Sequence, residues 1–389
     1  MPTIAASQTI TLFNDLDGDG IIDPGETVEF NVVISNTGTD ATGVSFLETL
    51  DGMTEVPGSI DVSPIARNDS YDVVGNVATS ISAASGVFAN DSEFLGETLG
   101  VDATITAFEA TSANGATIAL AADGSFTYTA PVGFAGTDTF TYTVTDSETG
   151  ISNSATVSLD VGPRVWFVDN TAPGSTNVGT QGNPFTSIAA FNAAQGTVGG
   201  PQPGDVVYLR AGTYNEADGF NLTDGQQLIG QGQNLVVTPT GGGPAVTIET
   251  GSLAQTPVIN VNAAGGQGVA LAQNNTVIGL DITTTHGGAI GIEDGGGTVG
   301  TLNISDVSYS GAGKVLDIDQ GGALSVTLDQ ATSTGSTAEG LHLAGALTGS
   351  FNVLTGSLTG ATGTEFRIGD GSANSGGTAD ISFAGSITN

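Results

Sequence analysis

The stretch with the sharpest chemistry lies near the start of the chain: Asn14-Asp-Leu-Asp-Gly-Asp-Gly-Ile-Ile-Asp-Pro-Gly-Glu26. Counted from Asp15, carboxylates fall at the first, third, fifth and ninth places (Asp15, Asp17, Asp19, Asp23), glycine at the sixth (Gly20) and Glu26 at the twelfth. This is the spacing of an EF-hand-type calcium loop. Ca2+ is a hard ion that needs many oxygens, and alternate acids in a tight loop supply them. Gly20 permits the sharp bend, the Ile21 carbonyl takes the seventh place, and Glu26 can bind through both oxygens. We expect Asp15, Asp17, Asp19, Ile21, Asp23 and Glu26 to hold one structural Ca2+; the plain alternative is a solvated acidic turn. Asp69, Asp91 and Glu93 make a less specific acidic set, read either as a second calcium site or as ordinary exposed acids.

Catalytic groups are harder to assemble. From residue 163 onward the basic side chains are Arg164, Arg210, Lys314 and Arg367, the histidines are His286 and His342, and the acids include Asp281, Glu293, Asp294, Asp317 and Asp319. By the repeat described below, Lys314 and Arg367 fall about two coils apart and in different corners. Asp317 sits between Leu316 and Ile318, and His342 between Leu341 and Leu343, so alternation turns both outward. No paired-aspartate motif accompanies a base, and the expectation is that the chain is not an enzyme.

Bulk charge narrows the partners. Five Lys and Arg stand against 40 Asp and Glu, a net charge of −35. Nucleic-acid binding needs basic patches to displace counterions, and anionic membrane surfaces are disfavoured for the same reason. Divalent cations are the natural partners; the charge also favours solubility at high ionic strength. The chain has no cysteine, so calcium and repeat stacking are left as stabilisers. No apolar run approaches the ~20 residues of a membrane span, and Met1-Pro2-Thr3 lacks the start of a signal peptide. We therefore expect a piece of a longer exported protein, or export by a route these residues do not show.

The elements that position these groups read as strands. Ile10-Thr-Leu-Phe13 and Val28-Glu-Phe-Asn-Val-Val-Ile34 flank the calcium loop and are β-branched and aromatic, so the loop joins two strands rather than two helices. Further on, Phe126-Thr-Tyr128, Phe140-Thr-Tyr-Thr-Val144 and Ala155-Thr-Val-Ser-Leu-Asp-Val161 alternate, with Asn114-Gly115 and Asp123-Gly124 as turns. That pattern predicts an antiparallel sandwich. In the last third, Ile290-Gly-Ile292, Leu316-Asp-Ile318, Leu341-His-Leu343 and Phe366-Arg-Ile368 recur, and Leu302-Asn-Ile304, Val326-Thr-Leu328, Phe351-Asn-Val353 and Ile381-Ser-Phe383 run out of phase with them. A fixed period of this size predicts a β-solenoid whose coils bury one another's apolar side chains. A helix is expected in Gly182–Ala194, capped by Thr186 or Ser187, with Ile188 and Phe191 on its apolar stripe.

Three resemblances attach to these stretches. Asp19-Gly-Ile-Ile-Asp-Pro-Gly-Glu-Thr-Val-Glu-Phe30, with Ile34-Ser-Asn-Thr-Gly-Thr39, resembles DUF11-like repeats of bacterial surface proteins. Gly86-Val-Phe-Ala-Asn-Asp91, Ala122-Asp-Gly-Ser-Phe-Thr-Tyr128 and Pro131-Val-Gly-Phe-Ala-Gly-Thr-Asp-Thr-Phe-Thr-Tyr142 resemble cadherin-like Ig modules of bacterial adhesins. Ser92-Glu-Phe-Leu-Gly-Glu97 replaces the acidic run common after Asn-Asp in that family. Arg164-Val-Trp-Phe-Val-Asp169, Pro203-Gly-Asp-Val-Val-Tyr-Leu209 and Leu228-Ile-Gly-Gln-Gly232 resemble the start of a pectate-lyase-like right-handed parallel β-helix. Together they imply an all-β chain. A DUF11-like Ig-type segment would span 1–63 and a cadherin-like Ig-type sandwich 64–162. A right-handed parallel β-helix with a short N-terminal capping helix would span 163–389 and continue past Asn389.

The expected function is a calcium-stabilised, non-catalytic structural or adhesive segment at the outside of a bacterial cell, with glycans or neighbouring copies as further partners. A self-assembling filament subunit and a polysaccharide lyase or hydrolase are the competing readings.

Overall fold

The structure is a computed structural model that describes residues 4–14, 27–36, 64–92, 98–147, 150–370 and 377–388. It divides into two units, Met1–Ile60 and Asp61–Asn389. In the first, β1 (Ile4–Asn14) and β2 (Thr27–Asn36) pair antiparallel with Ile10 opposite Phe30. Both flanks of the expected calcium loop are thus strands, as their β-branched residues require.

The second unit begins as a sandwich. One sheet holds β3 (Asp69–Gly75), β5 (Ala103–Phe108), β8 (Gly136–Asp146) and β9 (Ser152–Val168). The other holds β4 (Thr79–Ile81), β6 (Thr117–Leu120) and β7 (Phe126–Thr129). Alternate residues point inward, so Phe126, Tyr128, Phe140, Tyr142, Val157 and Leu159 meet in one fully buried core. Phe126 lies edge-on to Phe140 at 5.6 Å.

The chain then enters a column of parallel strands. β9 leads to α1 (Ile188–Ala194), and β10 (Val206–Leu209), β11 (Thr213–Glu216) and β12 (Phe220–Asn221) follow. Next come β13 (Gln227–Gly230), a side hairpin of β14 (Leu235–Val237) and β15 (Val246–Glu249), then β16 (Val258–Val261) and β17 (Gln267–Ala270). Longer strands alternate with shorter ones after that: β18 (Thr276–Thr284), β19 (Ile290–Glu293), β20 (Thr301–Gly311), β21 (Lys314–Ile318), β22 (Gly322–Ser333) and β23 (Leu341–Leu343). β24 (Leu347–Val353), β25 (Gly356–Thr359), β26 (Phe366–Ile368), β27 (Asp380–Phe383) and β28 (Ser386–Thr388) end the column. One parallel sheet orders β10-β13-β18-β20-β22-β24-β27 and another β12-β17-β19-β21-β23-β26. Each coil therefore lies on the one before it, and Leu209, Leu228, Val277, Ile304, Val326 and Phe351 belong to one continuous core.

The ladders fix the register between coils: Ile292 pairs with Leu316, Leu302 with Leu324 and Ile304 with Val326. A shift of two residues would keep the same side chains facing the core, so the repeat alone does not set these partners. Around Asp306, whose φ is 54°, the ladder is irregular by one residue, so that Val307 pairs with Leu328 before Ser308 pairs with Gln330.

α1 begins where Ser187 accepts a hydrogen bond from Ala190 N–H, so Ser187 and not Thr186 is the cap. Phe191 packs edge-on against Phe185 and Phe220, and Trp166 stacks on Phe185. Asn192 donates to the Gly219 carbonyl at 2.8 Å and accepts from Asn221 N–H at 3.1 Å. Its amide thus stands where a preceding strand would pair with β12, the first strand of its sheet. Asn192→Ala should cost about 1–3 kcal/mol, and hydrogen exchange at Asn221 should rise. Unchanged exchange there would deny α1 this role.

β9 joins sandwich to column. Its first part pairs with β8 and β3, and Val165–Val168 pair with Val206–Leu209 of β10. Residue 163, where a boundary was expected, lies inside this strand. Asp205 anchors the join. It is 3% exposed, accepts Arg164 Nε at 2.9 Å through Oδ1 and Trp166 Nε1 at 2.8 Å through Oδ2, and also takes the Gln202 N–H. Gly133 of the sandwich abuts Gly199 of the column; with φ +72° and a built Cβ only 2.3 Å from the Gly199 carbonyl oxygen, no other residue fits.

Candidate cation sites

The expected loop ligands Asp15, Asp17, Asp19, Ile21, Asp23 and Glu26 lie outside the described residues, as does Glu93. Asp69 and Asp91 are described, and the structure brings them together. Asp69 opens β3, Asp91 follows a short 3-10 turn over Val87–Ala89, and Tyr142 of β8 rises between them. The Tyr142 hydroxyl oxygen lies 2.8 Å from Asp91 Oδ2 and 3.3 Å from Asp69 Oδ2. It is also 3.2 Å from the carbonyl oxygens of Arg67 and Val87. One hydroxyl proton can serve only one of these four acceptors at full strength.

The electrostatics reflect this crowding of oxygens. Burial, then the Asp91 charge, pushes the Asp69 carboxyl up to about 7, against hydrogen bonds from Tyr142 and Asn90. Burial also raises Asp91, although the Arg67 N–H and Tyr142 hydroxyl oppose it. Two carboxylates, two carbonyls and a phenol oxygen form a donor set suited to a hard divalent cation. Sequence reasoning had Asp69 and Asp91 but missed Tyr142 and both carbonyls. Tyr142 alternates as a core residue, and nothing in its neighbours marks a polar role.

The sandwich has a counterpart among known families. Residues 61–163 match the bacterial cadherin-like domain. The cadherin-like module therefore covers the whole sandwich and ends inside β9. No curated protein matches the chain. Among solved structures, an endo-fucoidan hydrolase from glycoside hydrolase family 107 aligns at 18% identity over 41% of this chain and 23% of its own, with a TM-score of 0.20. The chain thus spans under a quarter of that enzyme's length, and a likeness at this score carries no argument. No described helix is long and apolar enough to cross a membrane.

Beyond the module, the column gathers a second set of charges. Glu293, Asp317, His342 and Arg367 lie in register on four successive strands, β19, β21, β23 and β26. Lys314 Nζ is 2.6 Å from Asp317 Oδ2 and 3.1 Å from Glu339 Oε2, and Arg367 reaches the other Glu339 oxygen at 3.0 Å. Lys314 and Arg367 therefore share one carboxylate, which corrects their expected placement in different corners. They are indeed two strands apart, but Glu339, in the turn before β23, bridges them. His342 is also buried rather than solvent-facing: it is 8% exposed because its neighbours in the ladder cover it.

Burial opposes ionisation of Glu339, but hydrogen bonds from Lys314 and Arg367 hold its carboxyl down at about 2. A carboxyl held down by its partners contributes stability above its ordinary value of 4.5, and loses it as pH falls toward 2. Melting temperature should therefore drop over that acid window, and less so in Glu339→Gln. An equal drop in both would mean that Glu339 does not govern it.

Proposed function

We propose that this chain is a calcium-stabilised, non-catalytic spacer and adhesive segment at the surface of a bacterial cell. The observation that carries the reading is the passage of β9 without interruption from the cadherin-like module into the column. A shared strand removes the flexible linker that usually separates domains and suits a part that must hold a surface at a distance. The charge of −35 and the oxygen cluster around Tyr142 support calcium as the stabilising ion. The loop Asp15–Glu26 is proposed as a further calcium site. The column is proposed as a β-helix of the pectate-lyase-like kind, with glycans as its partner class. Lys314 and Arg367 are both engaged by acids, which leaves neither free as a base and favours a non-catalytic column.

Light scattering and negative-stain imaging of the full chain, in millimolar calcium and then in chelator, test this. The reading expects dispersed particles in both, with slow hydrogen exchange at residues 160–168 in calcium. Ordered polymers that need calcium would replace it with the filament reading. Cleavage of an acidic polysaccharide, abolished by Lys314→Ala, would replace it with an enzyme.

A further inference from the structure

The strand that joins module and column has a bare point. β9 pairs with β8 as far as Val161 and with β10 from Val165 onward. Its ladder with β3 also slips there, passing from Val161 to Arg164. Gly162 and Pro163 therefore have no ladder partner among the described pairings. Pro163 has no N–H to offer, and Gly162 has no side chain to pack. Such a pair is where φ and ψ change most easily, so the shared strand by itself leaves a hinge. The side hairpin of β14 and β15 covers this point. Thr240, in its turn, donates its backbone N–H to the Gly162 carbonyl at 2.9 Å. Gly241 and Gly243 beside it lie against the Asp72 carboxylate of β3, so closely that a Cβ at Gly241 would collide with it.

We propose that the β14–β15 hairpin is a strut that locks a hinge at Gly162–Pro163 and so sets the angle between module and column. Its base is fixed to the column: Glu249, at the end of β15, accepts Arg210 Nε at 3.2 Å, and Asn234 Oδ1 accepts the Gly251 N–H at 2.9 Å. Its tip is fixed to the module at Gly162 and Asp72. Between base and tip lies a core separate from those of the sandwich and the column. Val74 of the module, Phe167 of β9, Tyr208 of β10, and Leu235 and Val237 of the hairpin meet there. Phe167 and Tyr208 leave their strands on the side away from the column's own core, so the hairpin supplies their cover. Asp205 and the contact of Gly133 with Gly199 also hold the join, but the hairpin is what bonds Gly162 itself. The strut builds on the spacer role proposed above, since a spacer transmits position when its parts keep a fixed angle.

The chain has no cysteine, so Ala119→Cys in the module and Asn303→Cys in the column, both exposed, carry a unique pair of spin labels. Pulsed electron spin resonance on the full chain in saturating calcium then reads the spread of module–column distances. The unaltered hairpin should give one narrow distribution. In a first variant Asn-Gly replaces residues 239–244, which closes β14 and β15 with a two-residue turn and leaves the tip short of Gly162. A second, Gly241→Leu, keeps the length and forces the tip off Asp72. Either should at least double the width of the distribution. The proposal is overturned by an unchanged width in both variants, or by a broad distribution in the chain with its hairpin intact. Calcium-dependent polymers would remove the spacer role and leave the strut standing, because the width is read within one molecule.

Discussion

Asp205→Ala should lower the unfolding free energy of the Asp61–Asn389 unit by about 3–5 kcal/mol, the cost of breaking a buried ion pair from one side. The carboxylate serves three groups at once: Arg164, the Trp166 indole and the Gln202 N–H. Removing it strands a guanidinium that is itself largely covered and leaves a fully buried indole N–H unpaired. Trp166 is the sole tryptophan, so urea unfolding followed by its fluorescence reads the join between module and column. Arg164→Met combined with Asp205→Ala should be less destabilising than the sum of the single changes, because the stranded charge is gone. Simple additivity would show that the pair does not act as a unit.

Asp69 and Asp91 should make the calcium-free protein less stable as pH rises. The Asp69 carboxyl is raised to about 7 from 3.8. Its contribution is complete below 3.8 and lost as pH rises through 7, because the fold then holds a buried charge beside another acid. In chelator the melting temperature should fall between pH 5 and pH 8. Calcium at about 100 times its dissociation constant should restore about 2.7 kcal/mol, and more clearly at pH 8 than at pH 5. Asp69→Asn with Asp91→Asn should flatten the pH dependence and remove the calcium response of the cadherin-like module. Differential scanning calorimetry with and without calcium reads both effects. A calcium response of the module that survives the double substitution would sink the assignment.

Much of the architecture was legible in order along the chain. The alternation around Phe126–Tyr128 and Phe140–Val144 marked the sandwich because each strand buries every second residue. Ile188 and Phe191 marked α1 for the corresponding helical reason. The recurrence of Leu341-His-Leu343 and Phe366-Arg-Ile368 placed the parallel ladder, and the step between them needed no correction. The partners of Leu316 and Leu324 were not legible in the same way: a shift of two residues leaves the inward face unchanged, so periodicity cannot choose between neighbouring pairings. Only the contacts of neighbouring coils decide it.

What the sequence determined by itself, then, is what local pattern can carry: the all-β class, the repeat, the apolar stripe of α1 and the acidic spacing of Asp15–Glu26. Tertiary structure alone decided which distant side chains meet. Asp69, Asp91 and Tyr142 converge across 73 residues, and Glu339 draws Lys314 and Arg367 together from different coils. His342 reads as an outward residue, yet stacking coils at the usual strand spacing of about 4.8 Å sets Asp317 beside it and closes off its second nitrogen. Alternation states which face a side chain leaves by. Coil stacking and turn geometry determine what waits for it there.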